Sequence, residues 1–247
     1  DLKPATVYVY SVGGPTDEVR SEPSEFTTAP DGNSPFTFVF LSDTHNSPAC
    51  GKLLAHALER YPETAFCTIS GDLVDTGQHR DDWDQLFNHT RDFARRRPLV
   101  PAIGNHDAID GLGAELYLSL FGLPTNGAPR VQPEAAYSFD YANALFLILD
   151  ATASVVDQRP WLEAQLARTK AAWKFAIFHF PPHAPDEAYP DIVREWGSLF
   201  DQHHVDFVLS GHVHHYVRSH PLKEGRRVNS PAEGTVYLVT VSVPSRA

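Results

Sequence analysis

The sequence predicts an α/β domain built on a largely parallel sheet with helices on its faces. Short runs rich in apolar, β-branched and aromatic residues, each closed by turn residues, alternate with helix-like stretches. Strand–helix–strand alternation of this kind builds parallel sheets. Five clusters of imidazole, carboxylate and amide side chains each follow one of these runs directly. In open sheets of this class, ligands bind outside the carboxyl ends of the strands, so the fold would gather the five clusters on one rim.

Residues 1–30 come first and supply two strand-like segments, around Val7-Tyr8-Val9-Tyr10 and before Ala29-Pro30. A lone hairpin is marginal in water, so the chain is expected to begin inside a domain that continues N-terminally. Gly13-Gly14-Pro15 and Asp31-Gly32-Asn33-Ser34-Pro35 are turn or linker signals. The second sets a boundary between residues 1–30 and a main domain of residues 35–247.

In that domain the run 36–41 leads to Asp43-Thr44-His45, and a helix is expected over 52–60. The run 65–69 leads to Gly71-Asp72-Leu73-Val74-Asp75. A helix over 81–97 follows; its Arg95-Arg96-Arg97 end suits the negative end of the helix dipole, at the rim away from the clusters. The run 99–103 leads to Gly104-Asn105-His106-Asp107. Tyr137, Phe139 and Tyr141 read as strand residues. The run 175–178 ends at His179, a helix is expected over 191–203, and the run 205–209 leads to Gly211-His212-Val213-His214. Residues 235–241 read as a closing strand.

Taken singly, Asp43 to His45 and Gly71-Asp72 could be ordinary strand-ending turns. A turn does not explain a histidine flanked by two polar ligand types, as in Asn105-His106-Asp107, nor two imidazoles at His212 and His214 on one side of a strand end. A lone strand-end histidine such as His179 is more often structural; it gains a ligand role from the position the other clusters leave open. Carboxylate, imidazole and amide oxygen suit zinc, iron or manganese, whereas a thiolate site would need cysteines. Two such ions about 3.5–4 Å apart clamp the attacking and leaving oxygens of an in-line displacement, and a phosphate ester offers those oxygens. His183 reads as a rim residue and His215 as lining the cleft, while His56, His79, His89, His203, His204 and His220 read as surface or structural residues without partners.

The ordered set resembles the calcineurin-like metallophosphoesterases, whose pattern is D-x-H, G-D-x-x-D, G-N-H-D/E, H and G-H-x-H. The likeness covers the chain from Phe36 onward. It implies a four-layer αββα sandwich of two mixed sheets. It implies that Asp43, His45 and His214 hold one metal, that Asn105, His179 and His212 hold the other, and that Asp72 bridges them. His106 would stand by the leaving-group oxygen, oriented by Asp107, with Asp75 behind the ligands. The implied chemistry is phosphoester hydrolysis by a metal-bridging hydroxide, with monoesters favoured over diesters and an extracytoplasmic location.

Residues 1–30 are similar to the end of the fibronectin-type sandwich that precedes the catalytic domain in purple acid phosphatases, with Tyr8 at the place of a tyrosine corner. Gln158, Trp161, Leu162, Gln165 and Leu166 look like a helix of the same group. Two positions depart from it. His45 stands where glycine is usual, and Asp75 stands where the iron-binding tyrosine gives the purple colour, so no chromophore is expected.

The net charge of −11 argues against electrostatic binding of nucleic acid or anionic membranes. It leaves phosphorylated substrates open, because bound cations would dominate the local field. No apolar stretch approaches the ~18 residues of a membrane span. Cys67, in an expected buried strand, and Cys50, near the start of a helix, read as small apolar residues or free thiols in preference to a disulfide. The rival readings are a non-catalytic scaffold on the same fold, which would be expected to lose ligands or His106, and a surface-binding protein acting through its N-terminal module. Specificity is expected in the loops at 76–81, 109–113 and 182–190.

Overall fold

The computed structural model describes residues 2–14, 20–109, 112–184, 187 and 189–242. Pro15 of the first turn signal, Asp110 and Gly111 of the 109–113 loop, and Pro185, Asp186 and Ala188 of the 182–190 loop lie outside them.

The chain opens on an antiparallel hairpin, β1 (Val7–Tyr10) and β2 (Ser24–Thr27). It continues through β3 (Thr37–Leu41), α1 (Pro48–Arg60), β4 (Thr64–Ile69), α2 (Arg80–Ala94) and β5 (Leu99–Pro101). The short α3 (Asn105–Ala108) and α4 (Glu115–Leu120) precede β6 (Tyr137–Tyr141), β7 (Ala144–Ile148), α5 (Val155–Arg168) and β8 (Trp173–Ile177). Next, α6 (Pro190–Ile192) passes through a π-helical turn, Val193–Gly197, into α7 (Ser198–His203). The chain then forms β9 (Phe207–Ser210), β10 (Val217–Arg218), the small hairpin of β11 (Leu222–Lys223) and β12 (Arg226–Arg227), and β13 (Val236–Val239). The helix expected over 191–203 is therefore interrupted by one wide turn.

Apart from the hairpins β1-β2 and β11-β12, the strands divide between two sheets. One is β3-β4-β5, all parallel. The other runs β10-β13-β9-β8-β7-β6, parallel through its middle and antiparallel at both edge strands. Side-chain alternation explains why they stack. In β3, Phe38 and Phe40 face the other sheet while Val39 and Leu41 face the helices. In β7, Ala144, Phe146 and Ile148 face inward while Leu145 and Leu147 pack under the outer helices. A two-residue period that is apolar on both sides demands a cover on both sides.

Phenylalanine is the commonest residue of the inner layer. Phe38 stacks on Phe66 at 5.3 Å, Phe146 on Phe175 at 4.9 Å and Phe175 on Phe207 at 5.6 Å, and Phe38 meets Phe146 edge-on at 5.3 Å. Each buried ring contributes about 1.5–3 kcal/mol. Trp83, Leu86 and Phe93 of α2 and Leu54 of α1 close one outer face; Leu162 and Leu166 of α5, Trp196, and Leu199 and Phe200 of α7 close the other. The result is the four-layer αββα sandwich. Cys50 and Cys67 are buried free thiols in the first outer core.

Local signals place the helices. Ser47 caps α1 by accepting the Ala49 N–H at 3.2 Å, with Pro48 at the first helical position. Arg97, just past α2, donates to the Thr64 and Pro62 carbonyls at 2.6 and 2.8 Å, so the arginine run ties the helix end to the start of β4. The N-terminal hairpin docks there too: Tyr10 and Ser24 donate to the Arg95 carbonyl at 2.8 and 3.1 Å. Tyr8 stacks on Phe26 and its hydroxyl accepts the Lys3 N–H at 2.8 Å. Among the described residues, no helix is long and apolar enough to cross a membrane.

Candidate metal centre

The rim opposite the arginine run collects all five clusters. Asp43 and His45 follow β3, Asp72 and Asp75 follow β4, and Asn105 to Asp107 form α3 just past β5. From the second sheet, His179 follows β8, and His212 and His214 follow β9.

The backbone there is bent hard. Of the non-glycine residues with positive φ, Asp43, His45, Asn46, Asp72, His212 and His214 all belong to this rim, at +51°, +43°, +45°, +51°, +71° and +46°. Such conformations cost about 1–3 kcal/mol each and persist where their surroundings enforce them. Here the amides of Asp43, His45 and Asn46 donate to the carbonyls of Gly71, Asp72 and Leu73 at 3.1, 3.0 and 2.8 Å, lacing the first cluster to the second. Glycine keeps the clusters close. A Cβ on Gly104 would lie 2.2 Å from both the N and Oδ1 of Asp72, and one on Gly211 would lie 1.9 Å from Ser42 Oγ.

Three groups of ligand-type atoms result, each within 4.8 Å of one another: Asp43, His45 and His214; His45, Asp72 and His106; Asp72, His179 and His212. Asp72 belongs to two of them. Its Oδ2 lies 3.2 Å from His179 Nε2 and 3.9 Å from His45 Nε2, while its Oδ1 accepts the His106 N–H at 2.9 Å. His214 Nε2 is 3.3 Å from Asp43 Oδ1 and 3.3 Å from His45 Nε2. Asn105 Oδ1 is 3.0 Å from His179 Nε2.

The donor set fits a cation. His179 donates its Nδ1 hydrogen to the Ser70 carbonyl at 3.0 Å, which leaves the Nε2 lone pair facing a carboxylate oxygen and an amide oxygen. Three acceptors converging at that distance repel unless a positive charge lies among them. Burial opposes charge on His179, but the Asp72 carboxylate more than reverses this and raises it to about 9. Burial likewise works against the Asp72 carboxylate, and His179 holds it at about 2. Burial lowers His45 and His212, keeping those imidazoles neutral with lone pairs to give, while the Asp43 carboxylate raises His214.

His106 is exposed at the edge of this set. Its Nδ1 donates to the Asp75 carbonyl at 2.7 Å, so Nε2 is the atom left to give or take a proton. Here the expectation for Asp107 is corrected. Its fully buried carboxylate accepts the N–H groups of Leu73, Val74 and Gly104 at 2.9, 3.3 and 2.9 Å. Burial and nearby Asp72 push it up to about 8. It pins two loops together, because buried N–H groups leave it no freedom to reach the imidazole; the Asp75 carbonyl orients His106 instead.

Residues 36–216 match the calcineurin-like phosphoesterase family. The chain belongs to that family. An uncharacterised protein of Mycobacterium tuberculosis is 32% identical over 90% of this chain and 50% of its own length. Purple acid phosphatase 21 of Arabidopsis thaliana is 27% identical over 90% of this chain and 52% of its own length. The structure of purple acid phosphatase PPD1 from yellow lupin (Lupinus luteus) seeds shares the fold, with a TM-score of 0.86 at 20% identity, over 98% of this chain and 51% of that one. The chain spans about half the length of the curated relatives it matches.

Three neighbours of this calcineurin-like phosphoesterase centre were not singled out by sequence. Glu187 Oε2 lies 3.1 Å from His212 Nε2. Asn46 accepts the Asp75 N–H at 3.1 Å. His89 of α2, expected to lack a partner, donates to the Asn46 carbonyl at 2.9 Å, so it buttresses the turn that carries His45. Asn46 directly follows the first cluster and could have been noticed; Glu187 and His89 carry no spacing signal. His183 meets the Tyr237 ring edge-on at 4.6 Å, and His215 is exposed.

Proposed function

We propose that this chain is the catalytic part of a dinuclear-metal-dependent phosphoester hydrolase acting on phosphomonoesters. The observation that carries this reading is the position of Asp72, whose Oδ2 stands between His45 and His179 while Oδ1 is fixed by the His106 amide. Asp43, His45 and His214 would hold one ion and Asn105, His179 and His212 the other, with Asp72 shared between them. Nitrogen and oxygen donors of this kind accept iron, zinc or manganese. When bound, two such ions supply Lewis acidity toward phosphoryl oxygens and an activated water.

The residues do the rest. Asp72 sets the spacing between the half-sites. His179 would give up its Nε2 proton to solvent on holding a cation, and His45 and His212 would offer neutral imidazoles. His106, anchored through Nδ1, presents Nε2 to the ester and gives a proton to the departing alkoxide. The relatives named phosphatases support the monoester preference. Residues 1–30 form the end of a fibronectin-type module ahead of a catalytic domain at 35–247, and the protein works outside the cytoplasm, as its likeness to purple acid phosphatases suggests. With His45 and Asp75 at the two departing positions, the loaded centre lacks the purple tyrosinate chromophore.

The test is elemental analysis of purified protein beside hydrolysis of matched phosphate mono- and diesters, with and without a chelator. About two metals per chain, chelator-sensitive turnover and faster monoester cleavage support the reading. No metal and no turnover after adding iron, zinc or manganese overturns it in favour of a scaffold.

A further inference from the structure

A cavity of about 560 Å³ opens beside the metal-binding rim. Its inner wall belongs to the centre itself: Asn105 lines it, as does Phe180, whose ring lies 4.8 Å from that of His212 and 5.2 Å from that of His179. Asn105 and Ala108 lie three residues apart on α3 and therefore on one side of that turn. Both face this cavity, which continues the site away from the His45 group.

The lining has a definite chemistry. Ala108, Leu118, Ala151, Ala153 and Phe180 make it apolar. Among the described residues, no lysine, arginine or histidine lines it. Among the described lining residues the one carboxyl is that of Asp150, buried and held by the Thr152 amide and hydroxyl at 2.9 and 2.6 Å. A second phosphate, a carboxylate or a sulfate on the alcohol would find no cation here and would face Asp150. A space of this size accommodates a small organic group.

We propose that this cavity receives the alcohol half of the ester and selects a neutral, apolar alcohol over an anionic one. The assignment rests on the phosphoester reading of the centre. Phe180 would cover the apolar group on one side, with the small alanine side chains leaving room on the other.

The test compares 2-phenylethyl phosphate with ethyl phosphate on the metal-loaded chain. The two alcohols are of similar acidity, so the ratio of kcat/KM reports contacts rather than leaving-group strength. Burying the ring should favour 2-phenylethyl phosphate by about tenfold or more. Ala153→Phe, at the half-buried edge of the cavity, should bring that ratio to about one. Gln132→Lys, on the exposed lining, should raise the relative rate on 2-carboxyethyl phosphate. Binding of benzylphosphonate against methylphosphonate, read by calorimetry, should follow the same order without turnover.

A wild-type ratio near one, or a ratio that Ala153→Phe leaves unmoved, overturns the cavity assignment while the phosphoesterase stands. If neither ester is cleaved yet benzylphosphonate binds about tenfold tighter and loses that advantage in Ala153→Phe, the cavity is upheld and the hydrolase reading fails. Equal phosphonate affinities overturn the cavity whatever the turnover.

Discussion

Gly104→Ala probes the packing of the centre with a single methyl group. The new Cβ would stand 2.2 Å from Asp72 N and from Asp72 Oδ1, where ordinary contact begins at 3.4 Å, so something must move by about 1.2 Å. Gly104 cannot retreat freely, because its N–H is bound to buried Asp107 at 2.9 Å. The displacement therefore falls on Asp72, the residue shared by two ligand groups. Overpacking of this kind costs about 1–3 kcal/mol, a loss of about 2–12 °C in Tm for a chain this size. A misplacement of about 1 Å in a catalytic constellation costs about a hundredfold in rate. The expected result is a folded variant with weakened metal binding and turnover reduced by about two orders of magnitude. Gly122→Ala is the control: nothing lies within 4 Å of its Cβ, and stability should stay within about 0.5 kcal/mol. Thermal unfolding, metal stoichiometry and ester hydrolysis of both variants decide the matter. Two tightly held metals and full turnover in Gly104→Ala would refute the packing argument.

Asp72→Asn should abolish turnover and weaken both metals, since an amide nitrogen replaces one oxygen of the proposed bridge; full metal occupancy with normal rates would remove Asp72 from that role. His106→Ala should keep the metals and cut turnover by about 10²–10⁴-fold, and a silent effect on rate would end its role. Asp107→Ala should act mainly on stability, because it strands the buried N–H groups of Leu73, Val74 and Gly104. At about 1–3 kcal/mol for each unpaired group the loss is about 3 kcal/mol or more, read as a fall in the urea midpoint; an undiminished midpoint would show that the carboxylate is not the pin. Burial pushes the Cys50 thiol up to about 12, and Cys67 is raised as well. Iodoacetamide at pH 8 should therefore leave both unmodified in the folded protein and alkylate both after unfolding, with native-state labelling counting against the buried cores.

Where a reading depended on local pattern, it carried well into three dimensions. The runs before Asp43, Asp72, Asn105, His179 and His212 became strands whose ends meet on one rim, because period-two apolar runs and turn residues are local facts. What the pattern lacked was the partition of those strands between two sheets, since the phenylalanines of β3 and the inward residues of β7 meet only across the fold. Side-chain partners were also illegible. His89 looked idle because Asn46 is 43 residues away in sequence, and Asp107 looked like the residue that orients His106 because the family resemblance implies it, whereas its actual partners are the N–H groups of Leu73, Val74 and Gly104. The positive φ angles at Asp43, His45, His212 and His214 leave no mark on residue type beyond the candidate ligands themselves.

The phenylalanine layer has a meaning beyond cohesion. One sheet carries Asp43, His45, Asp72 and Asn105, the other carries His179, His212 and His214, and groups such as Asp43-His45-His214 take members from both. The thickness of a slab of hydrocarbon rings therefore acts as the gauge block for a polar centre that it never touches. Shaving that slab, for instance at Phe146, would alter the gap between two jaws, and an ion gripped by both would sense a change made deep in the interior.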